Sequence, residues 1–124
     1  MGLVGIHHVS INVDDVDAAL AFYVNVLGLS VRRDRPEFSF AGAWLDAGSQ
    51  QVHLIEAVPP DNLGQHFALA FSDLPSLVAS LRDRGLEVTE PVRSGTSLQC
   101  FISDPAGNRV ELHQPGAFAP AQAR

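Results

Sequence analysis

Apolar and polar residues alternate along residues 6–13, IHHVSINV, which predicts a strand. Asp14 or Asp15 then supplies a helix cap, and Val16, Leu20, Tyr23 and Leu27 follow at helical spacing, with Gly28 as the stop. Residues 29–33, 38–46 and 51–56 read as three further strands, the last two joined by a turn at Ala47-Gly48-Ser49. The same order returns downstream. Residues 65–71 predict a strand, and Ser72 or Asp73 caps a helix from Pro75 to Arg84 that Gly85 ends. Strands over 86–89, 97–103 and 109–114 complete the set, with a turn at Asp104-Pro105-Ala106-Gly107-Asn108.

The repetition is visible in the residues themselves. Displaced by 58 positions, His8 falls on His66, Asp15 on Asp73, Asp46 on Asp104, Val52 on Val110, His53 on Glu111 and Leu54 on Leu112. The chain therefore reads as one domain over 1–124, built from a module at 3–58 and a module at 64–116. The breaker-rich segment Val58-Pro59-Pro60-Asp61-Asn62-Leu63-Gly64 joins them, and residues 117–124 read as a mobile tail. Each module is a βαβββ unit, so the predicted class is α+β, an open mixed sheet enclosing a cleft. Two such sheets sit side by side or are exchanged between subunits.

Strand parity sorts the chemistry. Val9, Ile11 and Val13 share the face that packs under the helix; His8, Ser10 and Asn12 share the other. Val52 and Leu54 oppose Gln51, His53 and Ile55, and Val110 and Leu112 oppose Arg109, Glu111 and His113. His8, His53, His66 and Glu111 thus all project to the polar side. The intervals from 8 to 53 and from 66 to 111 are both 45 residues, so the two pairs are matched by the internal symmetry. Imidazole and carboxylate are ligands for a divalent metal such as Zn, Fe, Mn, Co or Ni. The alternative is four unrelated polar residues, which the matched register argues against. His7 falls with Val9 on the helix side and reads as structural.

Composition narrows the function classes. The 124-residue chain carries 14 acidic against 8 basic residues, a formal net charge of −6. That balance opposes nucleic acid and anionic membrane surfaces as partners. All the basic residues are Arg, which removes Schiff-base and phosphate-loop lysines. Cys100 is the only cysteine, in an apolar run, and reads as a buried thiol rather than half of a disulfide. No apolar run approaches the ~20 residues of a membrane helix, and the N-terminus lacks a signal pattern, so a cytoplasmic location is expected.

The segments IHHVSINVDDVDAALAFYVNVLGL, HFALAFSDLPSLVASLRDRGLEV and FISDPAGNRVEL resemble the two modules of the vicinal oxygen chelate superfamily. That superfamily includes glyoxalase I, fosfomycin-resistance thiol transferases, methylmalonyl-CoA epimerase, extradiol dioxygenases and metal-free bleomycin-binding proteins. The resemblance implies that His8, His66 and Glu111 hold a divalent metal (Zn, Ni, Mn or Fe(II)). His53 stands where glyoxalase I carries a glutamate that is ligand and base. This departure counts against ordinary methylglyoxal–glutathione isomerisation and leaves His53 as a possible fourth ligand. The lysine and tyrosine of the fosfomycin enzymes have no counterparts here, since Tyr23 lies on a helix.

The expectation is a homodimeric, metal-dependent enzyme acting on a small molecule with vicinal oxygens, by isomerase or lyase chemistry. Ring-cleaving oxygenation and metal-free sequestration of a cationic drug are the alternatives. Glu111 and His113 are assigned to proton transfer, His113 as a partner of Glu111. Ser10, Asn12, Gln99, Phe101 and Arg93 are assigned to substrate. Phe38, Phe40 and Trp44 read first as core and second as an apolar wall of the cleft. Arg32, Arg33 and Arg35 read as a solvated face.

Overall fold

The computed structural model describes residues 1–120. The first module folds as β1 (His8–Val13), α1 (Val16–Leu20), a π-helical continuation (Ala21–Val26), β2 (Ser30–Val31), β3 (Gly42–Ala47) and β4 (Gln50–Glu56). The second folds as β5 (Phe67–Ala70), α2 (Leu74–Asp83), β6 (Val92–Ser94), β7 (Ser97–Ser103) and β8 (Arg109–Gln114). This is an α+β protein with two four-stranded mixed sheets, ordered β1-β4-β3-β2 and β5-β8-β7-β6. In each sheet the first and last strands of the module pair in parallel and the remaining neighbours are antiparallel.

The helix starts follow from caps. Asp15 accepts the Ala18 N–H at 3.0 Å, and Asp73 accepts the Ser76 N–H at 3.1 Å. The Ser76 hydrogen bonds hold the Asp73 carboxyl below its ordinary range. The sequence predicts one helix through Leu27, but its second half widens. The Leu27 N–H reaches back five residues to the Phe22 carbonyl at 3.0 Å, which turns both Phe22 and Tyr23 inward.

The chain divides into two compact units: residues 1–63 with 104–108, and residues 64–103 with 109–124. Each has its own core. In the first, Val13, Ala19, Phe22, Tyr23, Leu45, Val52 and Leu54 are buried; in the second, Leu74, Val78, Leu81, Cys100, Ile102, Val110 and Leu112 are. These are the apolar faces that strand parity assigned. Burial pushes the Cys100 thiol up to about 11.

Four readings change. Residues 86–89 form no strand; Pro91 lacks the N–H a ladder needs, and β6 forms beyond it, where the tight turn at Gly95-Thr96 sets Val92–Ser94 against β7. Thr89 still meets β7, giving its N–H to the Phe101 carbonyl at 3.0 Å while its hydroxyl takes the Phe101 N–H at 2.8 Å. The strand expected from residue 38 begins at Gly42 instead. Phe38 and Phe40, expected in the core, are 44% and 42% exposed. The tail is tied as far as Phe118, whose N–H reaches the Thr96 carbonyl at 2.9 Å and whose ring lies 4.5 Å from the Arg93 guanidinium. Residues 121–124 lie outside the described residues.

Gly42 leaves no room for a side chain, because a Cβ there would run into the Leu54 carbonyl oxygen on the neighbouring strand. Gly42→Ala is expected to cost about 1–3 kcal/mol, read as a lowered urea midpoint.

Candidate functional site

In the first unit, β1 and β4 pair in the register Ser10↔His53, and β3 sets Trp44 opposite His53. The His53 ring is therefore layered. Trp44 stacks on one side at 4.4 Å and 11°, and His8 stacks at 3.9 Å and 14°. Gln51, two positions along β4 on the same face, meets His53 Nε2 through its carboxamide oxygen at 2.8 Å. Only 8% of His53 is exposed, and burial, followed by the charge of His8 and His7, lowers its pKa. Burial thus favours the neutral ring, the form that binds a metal.

His7 departs from the expected helix-side role. It precedes β1, and its Nδ1 lies 2.9 Å from His8 Nδ1. Ser10 is exposed on the same face as His8. The Asn12 amide is already used, donating to the Val58 carbonyl at 3.1 Å. Phe38 and Phe40 lie parallel at 5.1 Å with Arg35 over both rings, and Phe38 continues to Trp44 at 6.2 Å. Phe38 and Phe40 thus carry an exposed aromatic face toward His53. Arg32 is bound to Asp34 and Asp46, as a solvated face would be.

In the second unit, His66 just precedes β5, and Glu111 and His113 follow two-residue periodicity on β8. His66 Nδ1 donates to the Gly64 carbonyl at 2.8 Å, which leaves a lone pair on Nε2 when the ring is neutral. That nitrogen faces Glu111 Oε1 at 3.1 Å. Two acceptors at this distance require a cation between them, a proton or a metal ion. The separation is also what two donor atoms take when each lies about 2.1 Å from one ion at roughly a right angle. The other Glu111 oxygen accepts from His113 Nδ1 at 2.7 Å. A histidine ligand fixed by a carbonyl and a carboxylate fixed by a second histidine form the supporting pattern of metal sites.

Gln99 stands opposite His113 and Phe101 opposite Glu111, so both share the Glu111 face. Phe101 meets His66 edge-on at 5.2 Å, and the Arg109 guanidinium lies 3.8 Å over the Phe101 ring. Arg93 does not join them. Its register partner is Leu98, which has the parity of buried Cys100 and Ile102, so Arg93 lies on the helix side and turns to Gly95 and Phe118. Residue 93 falls outside every strand the periodicity predicts, so parity gives it no face.

The structure thus brings His8 to His53 in one unit, and His66 to Glu111 and His113 in the other. Among the described residues, no group of three or more His, Cys, Asp or Glu side chains is placed to hold an ion. In the second unit His66 Nε2 and Glu111 Oε1 supply two donor atoms 3.1 Å apart. In the first unit the two rings lie face to face, with their lone pairs side by side. His8 is exposed and tied at one atom, so it is the ring able to turn.

The family model described as the Glyoxalase/Bleomycin resistance protein/Dioxygenase superfamily matches residues 5–112. The chain belongs to that superfamily. This glyoxalase-superfamily chain is 32% identical to the lactoylglutathione lyase GLX1 of Arabidopsis thaliana, over 88% of the chain and 44% of that protein. It therefore spans less than half the length of that plant relative. It is 30% identical to a probable lactoylglutathione lyase of Synechocystis, over 86% of this chain and 92% of that one. Among solved structures it resembles TnmS3, an antibiotic binding protein from a Streptomyces species, with a TM-score of 0.79, 26% identity and coverage of 93% and 98%. No helix among the described residues is long and apolar enough to cross a membrane.

Proposed function

We propose that this superfamily member is a divalent-metal-dependent lyase or isomerase acting on a small molecule with two neighbouring oxygens. The observation that carries this is the His66 Nε2–Glu111 Oε1 pair, 3.1 Å apart, with both residues braced from behind. The similarity to lactoylglutathione lyases supports the same reaction class. In the second unit His66 and Glu111 would hold the ion, and His8 and His53 are the donors that the first unit offers. Zinc, nickel, manganese and Fe(II) all suit this donor set.

When bound, a divalent ion supplies Lewis acidity toward adjacent oxygens. The protein's own part is proton transfer. Glu111 Oε1 is the carboxylate oxygen that His113 leaves open; it would take the proton from one oxygen-bearing carbon and return it to the adjacent one, which completes the isomerisation. His113 donates through Nδ1–H to Oε2, which orients the carboxylate. Phe101 and Gln99 border the substrate from β7. With His53 in place of a second carboxylate, a single base serves, which favours a substrate deprotonated from one side only. A homodimer, read by sedimentation of the purified chain, and a cytoplasmic location belong to the same reading.

The test is turnover by the full chain reconstituted with each metal, on hydroxyketones, glutathione thiohemiacetals and catechols in deuterated water. Deuterium entering at one of the two adjacent oxygen-bearing carbons is expected. Oxygen uptake with catechol alone would move the protein to ring cleavage. The exposed Phe38–Phe40 stack and the likeness to TnmS3 favour a second reading, metal-free capture of a planar drug. Tight binding of bleomycin by metal-free protein, with no turnover under any metal, would establish it.

A further inference from the structure

We infer that Gln51 is a positioning residue that fixes which nitrogen of His53 is offered to a metal ion; the inference rests on the metal-dependent reading above. The His53 ring has two faces and two nitrogens, and three of these four are occupied. Trp44 covers one face and His8 the other, and Gln51 Oε1 lies 2.8 Å from Nε2. A carboxamide oxygen only accepts, so the proton of the neutral ring sits on Nε2 and the lone pair on Nδ1. Nδ1 has no hydrogen-bond partner among the described residues. Since no buried side-chain nitrogen or oxygen lacks a partner there, Nδ1 is reached by solvent. It is the one open donor position on a ring that cannot rotate without breaking two stacks and a hydrogen bond.

The second module arranges the opposite choice. His66 gives its Nδ1 proton to the Gly64 carbonyl and turns Nε2 toward Glu111. The two halves therefore present different nitrogens, Nδ1 from His53 and Nε2 from His66. In each case the choice is set by an oxygen two residues upstream: the side chain of Gln51 for His53, the backbone of Gly64 for His66. The symmetry of the sequence extends to this spacing, while the chemistry of the brace has diverged. Because a backbone carbonyl cannot be substituted and a glutamine can, the two braces are experimentally separable.

The experiment is nitrogen NMR of the full chain carrying labelled histidine, with zinc added in steps, on wild type, Gln51→Leu and Gln51→Glu. The proton of His53 is expected on Nε2, and zinc is expected to move the Nδ1 signal. Gln51→Leu removes the acceptor and is expected to weaken zinc binding by about ten- to a hundredfold, the usual effect of losing such a brace. Gln51→Glu restores the acceptor and is expected to bind zinc at least as well as wild type. Trp44 fluorescence, from the chain's only tryptophan, checks that each variant keeps the stack. A wild type that binds no zinc overturns the metal reading itself. A wild type that binds zinc with the His53 proton on Nδ1, or a Gln51→Leu variant that binds as tightly, overturns the role of Gln51 and leaves the metal reading standing.

Discussion

Glu111→Ala is expected to lose the divalent ion and all turnover together. Glu111 is the only carboxylate in either histidine cluster, and its two oxygens do different work: Oε1 faces His66 at 3.1 Å and Oε2 is held by His113 at 2.7 Å. Removing a brace behind a ligand already costs about ten- to a hundredfold in metal affinity, so removing the ligand is expected to cost more than about a hundredfold. Three variants grade the account by metal titration. Glu111→Gln keeps the shape but loses the charge and the base, so its activity is expected to fall further than its metal content. His113→Ala loses only the brace and is expected to stay within the ten- to hundredfold range. Arg93→Ala, on the opposite face of the sheet, is expected to bind as wild type does. Equal metal affinity in Glu111→Ala and wild type would contradict the assignment.

Asp104→Ala is expected to produce the largest loss of stability of any substitution considered. Asp104 is 4% exposed and accepts four hydrogen bonds: from Tyr23 Oη at 2.7 Å, from the Ala106 and Asn108 N–H groups at 2.9 and 2.8 Å, and from Asn108 Nδ2 at 3.0 Å. Burial, and then the nearby Asp104 charge, raise the Tyr23 pKa, so the phenol keeps its proton and donates. Truncation removes the carboxylate that accepts from the buried Tyr23 hydroxyl and loosens the turn that carries Asn108, whose side chain also donates to the Asn12 carbonyl at 2.8 Å. Each buried partner lost costs about 1–3 kcal/mol, and the sum expected in urea unfolding is about 3–5 kcal/mol. Tyr23→Phe leaves Asp104 its other donors and is expected to cost about 1–3 kcal/mol. The double variant should lose less than the two separate losses added together. A loss below about 1 kcal/mol for Asp104→Ala would mean that water replaces these bonds.

Much of this architecture is legible in the residues because periodicity is local. Val52 and Leu54 alternate with Gln51 and His53, and the structure buries the first pair on the core side and sets the second pair on the opposite face, where Trp44 and His8 cover His53. The symmetric spacing of His8 to His53 and of His66 to Glu111 likewise follows from strand register. What escaped the sequence depends on contacts that periodicity does not encode. Tyr23 read as packing because nothing local shows a carboxylate 81 positions away. Gln51 and Arg109 were on the right faces, but glutamine and arginine on a strand surface carry no signal of a partner. Phe38 and Phe40 read as core because aromatic residues usually are, yet Arg35 caps the Phe40 carbonyl at 2.9 Å and holds the chain outside the sheet. His7 looked structural by parity, and parity ends where β1 begins, one residue later.

The central claim is that His66 and Glu111 hold a divalent metal ion. Elemental analysis of the purified full chain, after reconstitution with zinc, nickel, manganese or Fe(II) and removal of loose metal, tests it most directly. The account predicts about one equivalent per chain with at least one of these ions, lost in both His66→Ala and Glu111→Ala. Less than about a tenth of an equivalent with all four, or full retention in both variants, would contradict it.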